Sequence, residues 1–133
     1  PIFLSTGMSY LSEIELALET IYRHNKDVVL LHCTANYPIE DYEVNLGVIN
    51  TFKEKFNILV GYSDHSLGSL ALRAAYIKGA DVMEFHFTDT RKYKKHMGLQ
   101  WKEGGGLPSI RVQGGGLPSI SVHWLQAEKA SFA

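Results

Sequence analysis

The stretch Ile58-Leu59-Val60-Gly61-Tyr62-Ser63-Asp64-His65-Ser66 decides the fold, together with the twenty or so residues after it. Three apolar residues read as a buried strand, and the run Gly61 to Ser66 reads as its polar loop. Leu67 to Lys78 carries apolar residues at helical spacing and is closed by Gly79. Val82-Met83-Glu84-Phe85-His86-Phe87 is then a second strand. A strand, a short polar loop, a helix and another strand form one β/α unit, whose crossover makes the two strands parallel neighbours.

Working toward the N-terminus, the same unit repeats. Val28-Val29-Leu30-Leu31 reads as a strand apolar on both faces, as in a parallel sheet. It is followed by a loop from Asn36 to Asp41 containing Pro38, and by a helix using Leu46, Ile49, Phe52 and Phe56, with Asn45 as its expected cap. Ile2-Phe3-Leu4 is an earlier strand, and Leu11, Ile14, Leu18, Ile21 and Tyr22 mark the helix after it, with Ser9 as the expected cap. The fold class is therefore α/β. Strands at 2–4, 28–32, 58–62 and 82–87 are expected as parallel neighbours in chain order, with the helices on the outer face. Sites in such folds gather at the C-terminal ends of the strands. Those ends carry Ser5-Thr6, His32-Cys33-Thr34, Ser63-Asp64-His65 and Glu84-Phe85-His86.

The chain has 133 residues, enough for one ordinary domain, with 45% hydrophobic and 20% charged residues. That balance argues against a disordered chain, and no apolar run reaches the ~18 residues of a membrane helix. The N-terminus lacks the basic lead of a secretory signal, and the single cysteine, Cys33, forms no internal disulfide. A reducing, cytoplasmic setting is expected. Residues 1–90 hold 12 acids and 6 Lys or Arg, a net of −6, whereas residues 91–133 hold 2 acids and 7 bases, a net of +5. Two pieces are therefore expected, 1–90 and a basic, Gly-rich tail at 91–133. In that tail Gly104-Gly105-Gly106-Leu107-Pro108-Ser109-Ile110 recurs as residues 114–120. Six glycines and two prolines disfavour both helix and ladder over 104–120. Val122, Trp124, Leu125 and Phe132 are candidates to pack against the open side of the first piece. The basic run 91–95 reads as a solvated surface, so no nucleic-acid partner is expected.

His65 and His86 end consecutive strands, which lie ~4.8 Å apart, so both imidazoles can face one mouth and share a divalent ion at ~2.0–2.2 Å each. Two histidines leave positions for water and substrate, which suits a catalytic ion. Asp64 and Glu84 either orient the imidazoles or face elsewhere. The plainer alternative is that each histidine only hydrogen-bonds within the mouth. His32 and Cys33 are adjacent on a strand and point to opposite faces, so they make no nucleophile–base pair. Cys33 reads as a small buried filler.

Leu4-Ser5-Thr6-Gly7-Met8-Ser9, Leu31-His32-Cys33-Thr34-Ala35-Asn36-Tyr37-Pro38, Val44-Asn45-Leu46, Gly61 to Ser66 and Glu84-Phe85-His86-Phe87-Thr88 occur in this order and spacing. Together they closely resemble the sialic acid synthase family, over roughly residues 1 to 90. The resemblance implies the second half of a TIM barrel, strands five to eight, that condenses phosphoenolpyruvate with an N-acylated amino sugar to a nine-carbon 2-keto acid for surface polysaccharides. It implies that His65 and His86 bind a divalent metal, Mn2+ or Mg2+, acting as a Lewis acid on the sugar aldehyde. It implies that Ser63 helps hold phosphoenolpyruvate and that Tyr37 lines the sugar site. Ser5, Thr34, Asn36 and Glu84 complete the expected substrate-binding set. Asn36 stands one place after the family's asparagine position, which here is Ala35. The family's first barrel half, with its phosphate-gripping lysines, has no counterpart in these residues. Four strands do not close a barrel, so a homo-oligomer or pairing with another half barrel is the expected assembly, with no membrane partner. A non-catalytic binding or structural remnant of such a synthase is the alternative.

Overall fold

The structure, a computed structural model, describes residues 1–88 together with 100–101 and 121–126. Its strands are β1 (Ile2–Ser5), β2 (Val28–His32), β3 (Leu59–Asp64), β4 (Val82–Thr88), β5 (Gln100–Trp101) and β6 (Ser121–Gln126). Helices α1 (Leu11–Tyr22), α2 (Gly47–Phe56) and α3 (Leu70–Ile77) fill the first three crossovers, with a 3-10 turn at Asp41–Glu43. β1, β2, β3 and β4 are parallel neighbours in chain order. This is the four-strand half-barrel sheet that the alternation of strands and helices implies.

The apolar residues sort by strand parity. Leu30, Val60, Tyr62, Met83 and Phe85 are buried in a core with Ile14 and Leu18 of α1, Ile49 and Phe52 of α2, and Leu72 and Ala75 of α3. Val29, Leu31 and Val82 pack with Phe3 in a second, separate cluster on the opposite, concave face. A strand buried on both faces has no solvent side, which is why β2 reads as an unbroken apolar run. Gly61 belongs to the concave face: a methyl there would meet Leu31 Cδ2 at 2.5 Å and the Val82 carbonyl oxygen at 2.6 Å. Only glycine lets the three strands approach this closely.

Helix starts differ from the expected positions by one residue at α1 and α2 and by three at α3. Tyr10, not Ser9, precedes α1, and the Glu13 carboxylate accepts the Tyr10 backbone N–H at 2.7 Å. Leu46, not Asn45, precedes α2; Asn45 has φ +45° and accepts from the Val48 N–H through its own carbonyl. α3 begins at Leu70 rather than Leu67, because Gly68 at φ +87° keeps the preceding segment in the loop. Gly79, at φ +88°, closes α3 as expected, with the Gly79 and Ala80 N–H groups donating to Tyr76 and Ala75 carbonyls.

The free edge of β4 is covered within the chain. β6 runs parallel to it from Val82↔Ser121 to Phe87↔Gln126, and β5 pairs Phe87↔Gln100 and Thr88↔Trp101. The segment carrying Val122, Trp124 and Leu125 thus meets the half barrel as a sheet strand. The two Gly-Gly-Gly-Leu-Pro-Ser-Ile copies, the basic run 91–95 and Phe132 lie outside the described residues. Among the described residues no helix is long and apolar enough to cross a membrane.

Candidate functional site

Register places the candidate side chains. Ser63 pairs with Glu84 and Asp64 with Phe85 across β3 and β4, and paired residues of parallel strands share a face. Ser63 and Glu84 therefore stand on the concave face, Asp64 and Phe85 on the helix side, and one step further His65 and His86 return to the concave face. The result is a square of four polar residues at the C-terminal ends of two adjacent strands. Across it the Ser63 hydroxyl donates to Glu84 Oε1 at 2.7 Å, and the two imidazole centroids lie 5.5 Å apart.

The imidazoles differ in their bonding. His65 Nδ1 lies 2.7 Å from the Thr34 carbonyl oxygen, which only accepts, so the proton sits on Nδ1 and Nε2 carries a lone pair. His86 Nδ1 is buried and has no hydrogen-bond partner among the described residues. Burial holds the His86 pKa below the ordinary histidine value, a protonated His65 would lower it further, and Glu84 opposes both. A neutral imidazole with an unsatisfied buried nitrogen, beside another with an open Nε2, is the donor set a divalent cation takes. Two rings bound to one ion side by side stand about 5 Å apart, in line with the observed separation. Among the described residues no group of three or more His, Cys, Asp or Glu is placed to hold a metal ion, so the two imidazoles stand without a third protein ligand of these types.

The loop after β2 closes over this pair. The Tyr37 ring stacks on His65 at 4.0 Å and meets His86 edge-on at 5.6 Å. Tyr37 remains 46% exposed, so its other side is open to a ligand in the mouth. The Thr34 hydroxyl donates to the Glu43 carbonyl at 3.0 Å, and Asn36 Nδ2 reaches Glu43 Oε2 at 3.4 Å. The structure thus gives these two expected substrate contacts partners inside their own loop. Ser5 ends β1 exposed on the rim.

Asp64 faces away from the mouth. Fully buried, it accepts from Tyr62 Oη at 3.2 Å and from the Ser66 N–H at 2.9 Å, tying the turn that carries His65 to the helix-side core. Burial raises its pKa, and the bonds from Ser66 and Tyr62 work against that rise. His32 also faces the helices, with its Nε2 against the Val44 carbonyl at 2.9 Å and its ring between Phe52 and Tyr62. Cys33, next in sequence, is half-buried on the mouth side beside Gly7, and burial pushes its thiol pKa up. His32 and Cys33 are thus directed apart. Glu43 is the residue that sequence reading misses, since nothing in Asp41-Tyr42-Glu43 marks it as the hub of a loop that begins nine residues earlier.

A parallel β/α half barrel, with polar residues of successive strands gathered at its carboxyl ends, defines part of a TIM-barrel-type scaffold. The chain belongs to the NeuB family, which matches residues 1–97. N,N'-diacetyllegionaminic acid synthase of Legionella pneumophila is 43% identical over 93 residues, covering 66% of this chain and 26% of its own. Pseudaminic acid synthase of Campylobacter jejuni is 43% identical over 88 residues, covering 65% and 26%. The crystal structure of N-acetylneuraminic acid synthetase from Leptospira borgpetersenii, in complex with citrate, matches with a TM-score of 0.67 and 36% identity. That match covers 70% of this chain and 33% of the other. The chain spans about a quarter of the length of the curated relatives it matches.

Proposed function

We propose that this chain carries the metal-holding half of a sialic-acid-synthase-type site, which joins phosphoenolpyruvate to an N-acylated amino sugar with release of phosphate and formation of a nine-carbon 2-keto sugar acid. The observation that carries this reading is the pair His65 and His86 on one face, 5.5 Å apart, with His86 Nδ1 buried and unpartnered. In this reading His65 and His86 hold Mn2+ or Mg2+, and the ion supplies Lewis acidity toward the aldehyde oxygen of the sugar.

The remaining roles rest on position. Ser63 and Glu84, hydrogen-bonded beside the imidazoles, line the floor of the mouth and would orient the polar groups of the substrates. Tyr37 presents its open ring face to the apolar face of a sugar. Ser5 on the rim, and Thr34 and Asn36 in the loop, border the opening. β1 pairs only with β2 among the described strands, and its outer edge is where a second half barrel would add a strand to complete the mouth.

The test is binding of phosphoenolpyruvate to the intact chain, monitored by ligand-observed NMR with Mg2+ present and after its removal by chelator. Binding is expected with the metal, a marked loss without it, and a weaker response from His65→Ala and His86→Ala. Metal-independent binding, or no binding at millimolar ligand and metal, would overturn the proposal in favour of a non-catalytic domain.

A further inference from the structure

The segment between β2 and α2 makes more bonds to itself and to His65 than an ordinary connection needs. Glu43 is its hub. One carboxylate oxygen, Oε2, accepts from the Glu40 N–H at 3.0 Å and from Asn36 Nδ2 at 3.4 Å, and the Glu43 carbonyl accepts from the Thr34 hydroxyl at 3.0 Å. Asn36 in turn receives the Tyr37 N–H on Oδ1 at 3.1 Å and gives its own N–H to the Thr34 carbonyl at 2.9 Å. The next residue after Glu43, Val44, is fixed to the end of β2 through His32 Nε2. Residues 34, 36, 40 and 43 are thereby tied into one unit.

That unit grips His65 at three points. The Thr34 carbonyl takes Nδ1 at 2.7 Å, the Tyr37 ring lies on the imidazole at 4.0 Å, and the Ile39 N–H donates to the His65 carbonyl at 3.1 Å. A carbonyl fixes which nitrogen carries the proton, a stacked ring fixes rotation about the Cβ–Cγ bond, and a backbone bond fixes the height of the residue. Among the described residues the segment meets His86 through the edge of Tyr37, and His86 Nδ1 has no hydrogen-bond partner.

We infer that the 34–43 segment, keyed by Glu43, is a positioning device that presets the tautomer and ring orientation of His65, leaving Nε2 as the nitrogen offered to the mouth. Glu43 and Tyr37 are positioning residues in this scheme and act only through His65. The two imidazoles then have unequal parts: His65 is preorganised by this segment, and His86 meets it only at the edge of Tyr37 among the described residues. The consequence for metal affinity rests on the function proposed above; the preset tautomer does not.

The experiment uses the intact chain labelled with 15N and records the His65 ring nitrogens at pH 8 without metal, alongside Mn2+ affinity by electron paramagnetic resonance. The wild-type chain is expected to show His65 in a single Nδ1–H tautomer, with its ring protons shifted by Tyr37. Glu43→Ala should give averaged ring nitrogens and a Mn2+ affinity lower by tenfold or more, the usual cost of losing support behind a histidine ligand. Glu43→Gln, which keeps an acceptor oxygen, should restore most of both. Should Glu43→Ala fail to fold, Tyr37→Leu, which leaves the Glu43 bonds in place, should abolish the ring-proton shift and weaken Mn2+ binding. A His65 tautomer unchanged in Glu43→Ala, or ring shifts unchanged in Tyr37→Leu, would overturn the inference. If the tautomer responds as expected but no variant and no wild type binds Mn2+, the positioning stands and the metal reading alone falls.

Discussion

Replacing Gly61 by alanine puts a methyl where the concave face has no room. The added Cβ would lie 2.5 Å from Leu31 Cδ2, 2.6 Å from the Val82 carbonyl oxygen and 3.1 Å from Val82 Cβ. Leu31 is 1% exposed and packed, so its side chain has little freedom to swing away, and the Val82 oxygen belongs to the backbone of the neighbouring strand. Relief therefore requires β3 and β4 to shift. Overpacking of this kind costs about 1–3 kcal/mol, and contact with backbone on one side points to the upper part of that range. Alanine recovers about 0.5–1 kcal/mol of strand propensity, leaving a net loss of about 1–2 kcal/mol. Gly47 is the control: nothing lies within 4 Å of its Cβ position in the first turn of α2, so Gly47→Ala should stabilise by up to about 1 kcal/mol. Urea unfolding of the two variants, followed by tryptophan fluorescence and circular dichroism, compares their midpoints with wild type. Because Gly61 lies two residues before Ser63 and four before His65, the shift of β3 should also weaken any Mn2+ binding at the proposed site. An unchanged midpoint for Gly61→Ala would refute the packing described for the concave face.

Three other outcomes depend on single groups. Burial lowers the His32 pKa, so between that value and about 6.5 the unfolded chain binds more protons than the folded one; stability should be fully present above 6.5 and fall as pH drops, with a shallower fall in His32→Gln, measured by urea midpoints from pH 7.5 to 5. Asp81 Oδ2 accepts the Val60 N–H at 2.9 Å as well as Lys53 Nζ at 2.9 Å, so Asp81→Ala should cost about 1–3 kcal/mol against about 0–1 kcal/mol for Lys53→Met, and equal costs would show the backbone bond to be unimportant. Burial raises the Cys33 thiol pKa, so labelling by a disulfide reagent at pH 7.5 should be slow in the folded chain and fast in urea; rapid labelling without denaturant would contradict its half-buried placement.

The sheet is legible in the sequence because its signals are local. Val28 to Leu31 is an unbroken apolar run, Val82 to Phe87 alternates apolar residues with Glu84 and His86, and the helices between them fix parallel order. The placement of His65 and His86 on one face comes from the same parity. The features that sequence does not supply depend on distant partners. Ser9 and Asn45 are good capping residues by type, but the β1–α1 and β2–α2 connections start each helix one residue later, and Glu13 does the capping of α1. Leu67 keeps helical spacing with Leu70 yet stays in the loop, because Gly68 turns the backbone left-handed. Glu43 looks like any surface acid, since its partners at 34, 36 and 40 meet it only once Pro38 and Ile39 have turned the loop over His65. The apolar residues of Ser121–Gln126 mark that segment as a cover for the open side, but its backbone pairing with β4 is a property of the assembled sheet edge.

That His65 and His86 hold one divalent ion together is tested most directly by titrating the intact chain with Mn2+. Loss of the free-ion signal in electron paramagnetic resonance reports binding, with His65→Ala, His86→Ala and His24→Ala in parallel. One saturable site is predicted in the wild-type chain and in His24→Ala, and affinity reduced at least tenfold in both His65→Ala and His86→Ala. Equal binding by all four proteins, or none by the wild type at millimolar Mn2+, would contradict a shared ion at these two histidines.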